Sequence, residues 1–286
     1  MSNLTFNQII EIYLTSKDHV SKERDFYSLR HLQPFFNERD ISTIKRIDIR
    51  SYIANRQKLG VKNSTINREL RFLSAAINFA SLELEIALRN PVKGMMLKVE
   101  QNRIRWITQE EAKKLILAAE QYQRIPHLSA FIKLALNTGC RKSELLELEW
   151  SRVDIEHKLL TFESQHNKSG KLKTVPLNQS AINALLVLRD WTNWHYPKSN
   201  YVFTSQKGKR IVCFKRGFTA ACKLSGITNF RIHDMRHTCA SWLVMSGVPL
   251  TVIRDLLGHS SVTVTEIYAH LSPKEVQNAV NSLPVL

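Results

Sequence analysis

The 286-residue sequence predicts a mainly α protein with a small β-sheet, divided between an N-terminal helical domain and a larger α+β domain. Three observations lead there. Apolar residues recur at helical spacing through residues 1–90. A cation-rich stretch interrupted by Pro91 and Gly94 breaks that pattern over residues 91–106. Short β-like runs then sit between two sets of helices in residues 107–286.

The elements follow in order. "FNQIIEIYL" puts Phe6, Ile9, Ile10, Tyr13 and Leu14 at helical spacing, and "RDFYSLRHLQPFF" repeats the pattern, with Pro34 marking a kink or an end. "DIRSYIANRQKLG" stops at Gly60, a residue suited to the position just after a helix. "NSTINRELRFLSAAINFAS" offers Asn63 or Ser64 as a cap and Leu70, Leu73, Ala76 and Ile77 as one apolar face. Residues 91–106, with Lys93, Lys98, Arg103 and Arg105, read as a basic interdomain linker able to track a phosphate backbone. A second domain opens at "ITQEEAKKLILAAE", where Thr108 and Glu111 fit a capping box and Ile107 a hydrophobic staple. "HLSAFIKLALNTG" ends a helix at Gly139; "KLLTFES", "KLKTVPL" after the turn "NKSG", and "YVFTS" read as strands; helices resume near Phe214.

With 43% hydrophobic and 23% charged residues, the chain has material for real cores. It has no apolar run of the roughly 20 residues that a membrane span needs, and its N-terminus lacks the layout of a secretory signal, so the expected location is cytoplasmic with no membrane partner. Cys140, Cys213, Cys222 and Cys239 are far apart and form no CxxC pair, which fits reduced thiols in a cytosolic compartment. The 41 Lys and Arg against 25 Asp and Glu leave a formal charge of +16, which attracts polyanions and makes nucleic acid the first partner to consider. The basic residues are spread along both halves, favouring an extended contact face. Arg50, Arg56, Lys62, Arg68, Arg71, Arg103 and Arg105 are the DNA-contact candidates.

Four short stretches could carry chemistry. In "TGCRKSELLELEW", Arg141 opens a helix with Glu144 three positions on, either an intrahelical ion pair or an anion-binding guanidinium with its support. "HNKSGKLKTVPL" reads as a β-hairpin with Lys168 near its tip, solvated or reaching into a groove. "RIHDMRHTCASWLV" sets His233 and Arg236 three apart beside an apolar stripe. His233 and His237 are four apart and superficially resemble the HExxH metal pattern, but Asp234 replaces the required Glu and an Arg would oppose a dication. "LLGHSSVTVTEIYAHL" supplies His259 after Gly258 and then Tyr268, whose flanking Thr263, Thr265 and Glu266 suggest a hydroxyl facing a groove.

Together Arg141, Lys168, His233, Arg236, His259 and Tyr268 make a metal-free set for phosphoryl transfer. Two guanidiniums clamp non-bridging oxygens with a fork that lysine lacks. A tyrosine attacks and holds the phosphoryl group as an ester, and a lysine or histidine protonates the departing oxygen. No cofactor is called for, and there is no GxxxxGK[ST] loop for ATP.

The order of these stretches resembles the tyrosine recombinase (phage integrase) family, of the Xer-like or simple integrase type. "TGCRKSELLEL" is similar to its first-arginine box, "HDMRHT" to its His-x-x-Arg box and "LLGHSSVTVTEIYAHL" to its tyrosine box; Lys168 falls at the family's hairpin lysine, and Met235 and Cys239 depart from the usual leucine and phenylalanine. The resemblance implies a SAM-like core-site-binding domain over 1–90, the linker over 91–106 and a catalytic domain over 107–286. It implies that Arg141 and Arg236 bind the scissile phosphate and that Glu144 supports Arg141. Lys168 would protonate the 5′-hydroxyl, His233 assist proton transfer from the tyrosine and His259 bond a phosphate oxygen. Tyr268 would form a 3′-phosphotyrosyl link, with His270 a structural or solvated neighbour.

The implied partners are a double-stranded DNA recombination site clamped between the two domains and a homotetramer on two sites, with an accessory DNA-bending or directionality factor as a further candidate. The tail "SPKEVQNAVNSL" is expected to dock in trans on a neighbouring protomer. The early start of the core-binding-like helices suggests a simple recombinase without a separate arm-site domain, serving a phage or small mobile element or resolving replicon dimers. The rival readings are a type IB topoisomerase, a non-enzymatic DNA-binding regulator and, through HDMRH, a metallohydrolase.

Overall fold

The computed structural model describes residues 4–16, 22–99, 104–122, 126–163, 172–259, 261, 263–271 and 281. The chain divides into two compact units, residues 1–102 and 103–286.

The N-terminal unit is built from α1 (Phe6–Ser16), α2 (Lys22–Phe36), α3 (Arg46–Lys58) and α4 (Asn63–Glu83). The long α4 packs against the other three, and its buried stripe includes Leu70, Leu73, Ala76 and Ile77 as the periodicity requires. Lys62, not Asn63 or Ser64, occupies the N-cap position of α4, and its side chain makes no capping bond. Pro34 lies inside the last turn of α2. Gly60 follows α3 with φ +73°, a conformation that costs glycine nothing.

Two sequence expectations are corrected in this unit. Arg56 is not a free surface cation. It continues the buried face of Ile49, Tyr52 and Ile53, and its guanidinium forks onto Glu69 at 3.0 and 2.7 Å, while Tyr52 donates to the same carboxylate at 2.6 Å. Hydrogen bonding to Glu69 pushes the Arg56 pKa up, and burial followed by the Glu69 bond pushes the Tyr52 phenol up.

Nor do residues 91–99 form a linker. Val92 is fully buried in the N-terminal core, with Met95 and Leu97 packed against it. The Asn67 side chain donates to Leu97 O and accepts from Leu97 N, both at 2.8 Å, and Asn63 donates to Lys98 O at 2.9 Å. Side-chain amides here replace a missing strand partner, so the segment is tied down without secondary structure of its own.

The second unit contains α5 (Gln109–Tyr122), α6 (His127–Thr138), α7 (Lys142–Leu146), β1 (Val153–Asp154), β2 (Leu159–Phe162), β3 (Lys173–Pro176), α8 (Gln179–His195), α9 (Lys215–Leu224), α10 (Asp234–Met245), α11 (Leu250–Leu257) and α12 (Thr263–Glu266). The capping box at the start of α5 is formed, with Thr108 N donating to Glu111 at 2.7 Å and Glu111 N to Thr108 Oγ1 at 3.1 Å. α6 is apolar almost all round and is buried among α5, α8 and α10, as such a helix must be. The sheet is antiparallel in the order β1-β2-β3, with Leu160 opposite both Val153 and Val175.

The stretch "YVFTS" is not a strand: Val202 and Phe203 are both fully buried, which breaks the alternation a strand requires, and only isolated bridges form at Tyr201 and Thr204. Among the described residues, no helix is long and apolar enough to cross a membrane.

Removing Glu69 should leave a buried guanidinium and a buried phenol without their acceptor. We expect Glu69→Ala to lower the stability of the N-terminal unit by about 3 kcal/mol, read as an earlier unfolding transition in urea, while Arg50→Ala on the exposed face stays within about 0.5 kcal/mol of wild type.

Candidate active site

Three helix ends set the cationic part of the site. α6 ends at Gly139 (φ +61°) and α11 at Gly258 (φ +66°), both left-handed, and their terminal carbonyls carry the negative end of each helix dipole. Arg236, on α10, is buried and donates to Gly139 O at 2.8 Å through Nη1 and to Leu257 O at 2.6 Å through Nη2. Burial, then the neighbouring Arg141, lower its pKa. Gly139 is doubly constrained, because a Cβ there would lie 2.4 Å from Leu257 Cδ2.

Arg141 is the N-cap residue of α7. Its backbone N–H donates to Glu144 Oε2 at 2.8 Å, its Nη1 to Glu144 Oε1 at 2.6 Å and its Nη2 to Gly258 O at 3.2 Å. The bland intrahelical pair is therefore present, but it also aims Arg141 toward the end of α11, where Arg236 is anchored. Glu144 is 2% exposed and takes a third donor, Lys173 Nζ, at 3.2 Å. Burial works to raise the Glu144 pKa, but Lys173 and the two Arg141 contacts outweigh it and hold the carboxyl below its ordinary value.

His259 follows Gly258 and is half-buried; its Nδ1 lies 2.9 Å from Thr265 Oγ1. Burial, then Arg236 and Arg141, depress its pKa to about 4, so the ring is neutral at pH 7. The buried hydroxyl of Thr265 occupies one ring nitrogen and fixes the ring's orientation.

Tyr268 lies in the turn after α12 and not within a helix. Contrary to the expectation from its polar neighbours, it is 1% exposed, packed with Ala240, Val244, Ile253 and Leu257. Burial pushes its phenol up to about 12 against the pull of Arg236. Its hydroxyl is hydrogen-bonded to His237 Nδ1. His233, the N-cap of α10, is exposed, with its ring perpendicular to that of His237 at 5.1 Å. His270 is exposed.

The fold thus brings together Arg141, Glu144, Arg236, His259 and Tyr268 from three separate stretches. Lys168 and Arg103 lie outside the described residues. Arg50, Lys62, Arg68 and Arg71 are exposed, and Arg105 pairs with Glu111 at 3.2 Å. Among the described residues, no group of three His, Cys, Asp or Glu is placed to hold a metal ion.

Sequence reasoning missed Lys173, His237 as a partner of Tyr268, and Thr265. Lys173 had a readable signal: it shares strand parity with Val175, which points inward.

Residues 105–275 match the model of the phage integrase family, and the chain belongs to that family of tyrosine recombinases. The integrase of Salmonella phage P22 is 32% identical over 219 residues, covering 72% of this chain and 54% of that protein, so the chain spans about half the length of this relative. The ICEBs1 integrase of Bacillus subtilis is 26% identical over 311 residues, covering 98% of this chain and 83% of that one. A XerC-like tyrosine recombinase of Caldanaerobacter subterraneus is 29% identical over 284 residues, covering 85% and 71%.

Among solved structures, the Tn1549 transposon integrase in complex with a circular intermediate DNA superposes with a TM-score of 0.80 at 19% identity, covering 98% of this chain and 100% of that chain. A lambda integrase dimer bound to a COC′ core site gives 0.73 at 20% identity, covering 93% and 77%. Both share the fold.

The depressed His259 pKa has a stability consequence. As pH falls from 6.5 toward 4, the unfolded chain takes up a proton that the folded ring refuses, so the fold is destabilised across that window. Between pH 7 and pH 5, wild type should lose more thermal stability than His259→Gln, by at most about 1.4 kcal/mol per pH unit before solvent screening reduces it. His127, also held near 4 by burial, keeps its own contribution in both proteins.

Proposed function

We propose that the chain is a site-specific DNA recombinase that breaks and rejoins duplex DNA through a 3′-phosphotyrosyl link at Tyr268, integrating or excising a phage or other mobile element. The observation that carries this reading is the pair of guanidiniums, Arg141 and Arg236, anchored by adjacent carbonyls at the C-terminal end of one helix, α11, with Tyr268 packed against that helix. Donors fixed before the ligand arrives need little reorganisation when charge develops on a phosphate.

In this reading Arg141 and Arg236 bind the non-bridging oxygens, and Glu144 and Lys173 hold Arg141 in place. His259, neutral and oriented by Thr265, donates its remaining N–H to a phosphate oxygen, and Lys168 protonates the leaving 5′-oxygen. The ester keeps the energy of the broken bond, so rejoining needs no ATP and no metal.

Exposed Arg50, Lys62, Arg68 and Arg71 supply backbone contacts from the N-terminal unit. The assembly is a tetramer on two DNA sites, with residues 272–286 docking on a neighbour. The integrases of P22 and ICEBs1 among the relatives favour a mobile element; the relatives named XerC favour replicon-dimer resolution as a second reading.

Capture of covalent protein–DNA adducts after rapid denaturation tests the chemistry without knowledge of the site. Wild type expressed with DNA from around its own gene should accumulate adducts at one sequence, and Tyr268→Phe should give none. Adducts scattered over many sequences would indicate topoisomerase-like relaxation, and none from either protein would leave only DNA binding. Deletion of residues 272–286 should abolish recombination while a single site is still bound; unchanged recombination would refute docking in trans.

A further inference from the structure

We infer that Lys173 is a positioning residue of the cleavage step: it braces both acceptors that aim the Arg141 guanidinium, and through them it sets how well that guanidinium meets the phosphate. The inference rests on the recombinase reading above and deepens it with a side chain placed behind the one that would touch the substrate.

Lys173 opens β3 and is paired across the sheet with Phe162 on β2. It is 8% exposed, and its Nζ stands 5.7 Å from the centre of the Phe162 ring. The head of the side chain reaches Glu144 Oε2 at 3.2 Å. Its stem runs beside Gly258, where a Cβ would lie 3.4 Å from Lys173 Cδ and 3.6 Å from Cε. Glu144 and Gly258 are the two residues that accept from the Arg141 guanidinium, Nη1 donating to Glu144 Oε1 at 2.6 Å and Nη2 to Gly258 O at 3.2 Å. One lysine, fixed by the sheet, therefore lies against both supports of the fork.

Glu144 divides its two oxygens. Oε2 accepts from the Arg141 backbone N–H and from Lys173 Nζ, and Oε1 accepts from Arg141 Nη1. With two donors on Oε2 the carboxylate resists turning, and Oε1 stays pointed at the guanidinium. Arg141, Lys173, Arg236 and the Cys140 thiol are the titratable and charged groups around this carboxylate. Burial works to raise its pKa, and Lys173 is the strongest of the pulls that keep it ionised.

A purely structural role would not call for a lysine here. Glu144 already pairs with Arg141, and an apolar side chain could fill the space beside Phe162 without taking a second cation out of water. What an apolar side chain could not do is hold Oε2 and keep the carboxylate aimed. Geometry of this kind matters most when charge develops on the phosphate, because a donor out of line then has to be moved.

The test compares single-turnover cleavage by wild type, Lys173→Met and Arg141→Ala on the site mapped by adduct capture. Methionine keeps most of the stem and drops the cation; Lys173→Gln takes its place should the methionine variant fail to fold. A second substrate carries a methyl group in place of one non-bridging oxygen at the cleaved phosphate. That linkage has no net charge, so it depends far less on the guanidinium clamp. Lys173→Met should bind the site as wild type does and cleave the natural phosphate about 100-fold more slowly. On the methylphosphonate it should match wild type, and Arg141→Ala should recover with it.

Cleavage of the natural phosphate by Lys173→Met at the wild-type rate would overturn the inference. A deficit that persists on the methylphosphonate while Arg141→Ala recovers would also overturn it, since Lys173 would then act on the fold or on another reacting group. Absence of adducts from wild type would instead refute the recombinase reading itself, and so remains distinct from either result.

Discussion

A buried guanidinium spanning two helix ends is the constraint around which the second unit is arranged. Arg236 leaves α10 and reaches the last carbonyls of α6 and α11, so three helices must meet at one point for its charge to be accommodated. Removing such a group from water costs several kcal/mol unless acceptors replace the water. Carbonyls at helix C-termini are suited to this because they lack intrahelical partners and carry partial negative charge. The left-handed glycines at 139 and 258 then become necessary: each stops its helix where the guanidinium needs an acceptor, and at 139 a side chain would collide with Leu257.

Glu144 balances the remaining charge. Its carboxylate accepts from Arg141 twice and from Lys173 once, and it is almost fully enclosed. Three cations and one anion leave two positive charges at the site, which suits a phosphoryl group that gains negative charge as it is attacked. Lys173 matters to that balance because Glu144 would otherwise neutralise Arg141 alone. His259 reads the same field from outside: its pKa falls near 4 from burial and the two arginines, so it contributes a neutral hydrogen bond and no further charge.

Much of this was legible in the sequence, and the misses share a cause. Helical spacing locates the helices, and the three boxes locate the arginines, His259 and Tyr268, because those signals are local. Arg56 lies at the i, i+3, i+4, i+7 spacing of Ile49, Tyr52 and Ile53, but a cation there reads as a surface residue because its partner Glu69 sits 13 residues away on another helix. Residues 91–99 looked like a linker because the side chains of Asn63 and Asn67 that bind them leave no periodic trace. Lys173 and His237 are defined by what they touch, at separations of 29 and 31 residues, which no local pattern encodes. Tyr268 was expected to face a groove because Thr265 and Glu266 are polar, yet Thr265 is itself buried, with its hydroxyl directed at His259.

The burial of Tyr268 links these features. An apolar nest of Ala240, Val244, Ile253 and Leu257 makes the phenolate costly and holds the hydroxyl protonated. The same nest rests on α10, which holds Arg236, and on α11, which carries one of its two acceptors. The turn that buries Tyr268 is therefore held by the same helix contacts that anchor Arg236. A single packing arrangement fixes the buried tyrosine, its hydrogen-bonded imidazole and the buried guanidinium together.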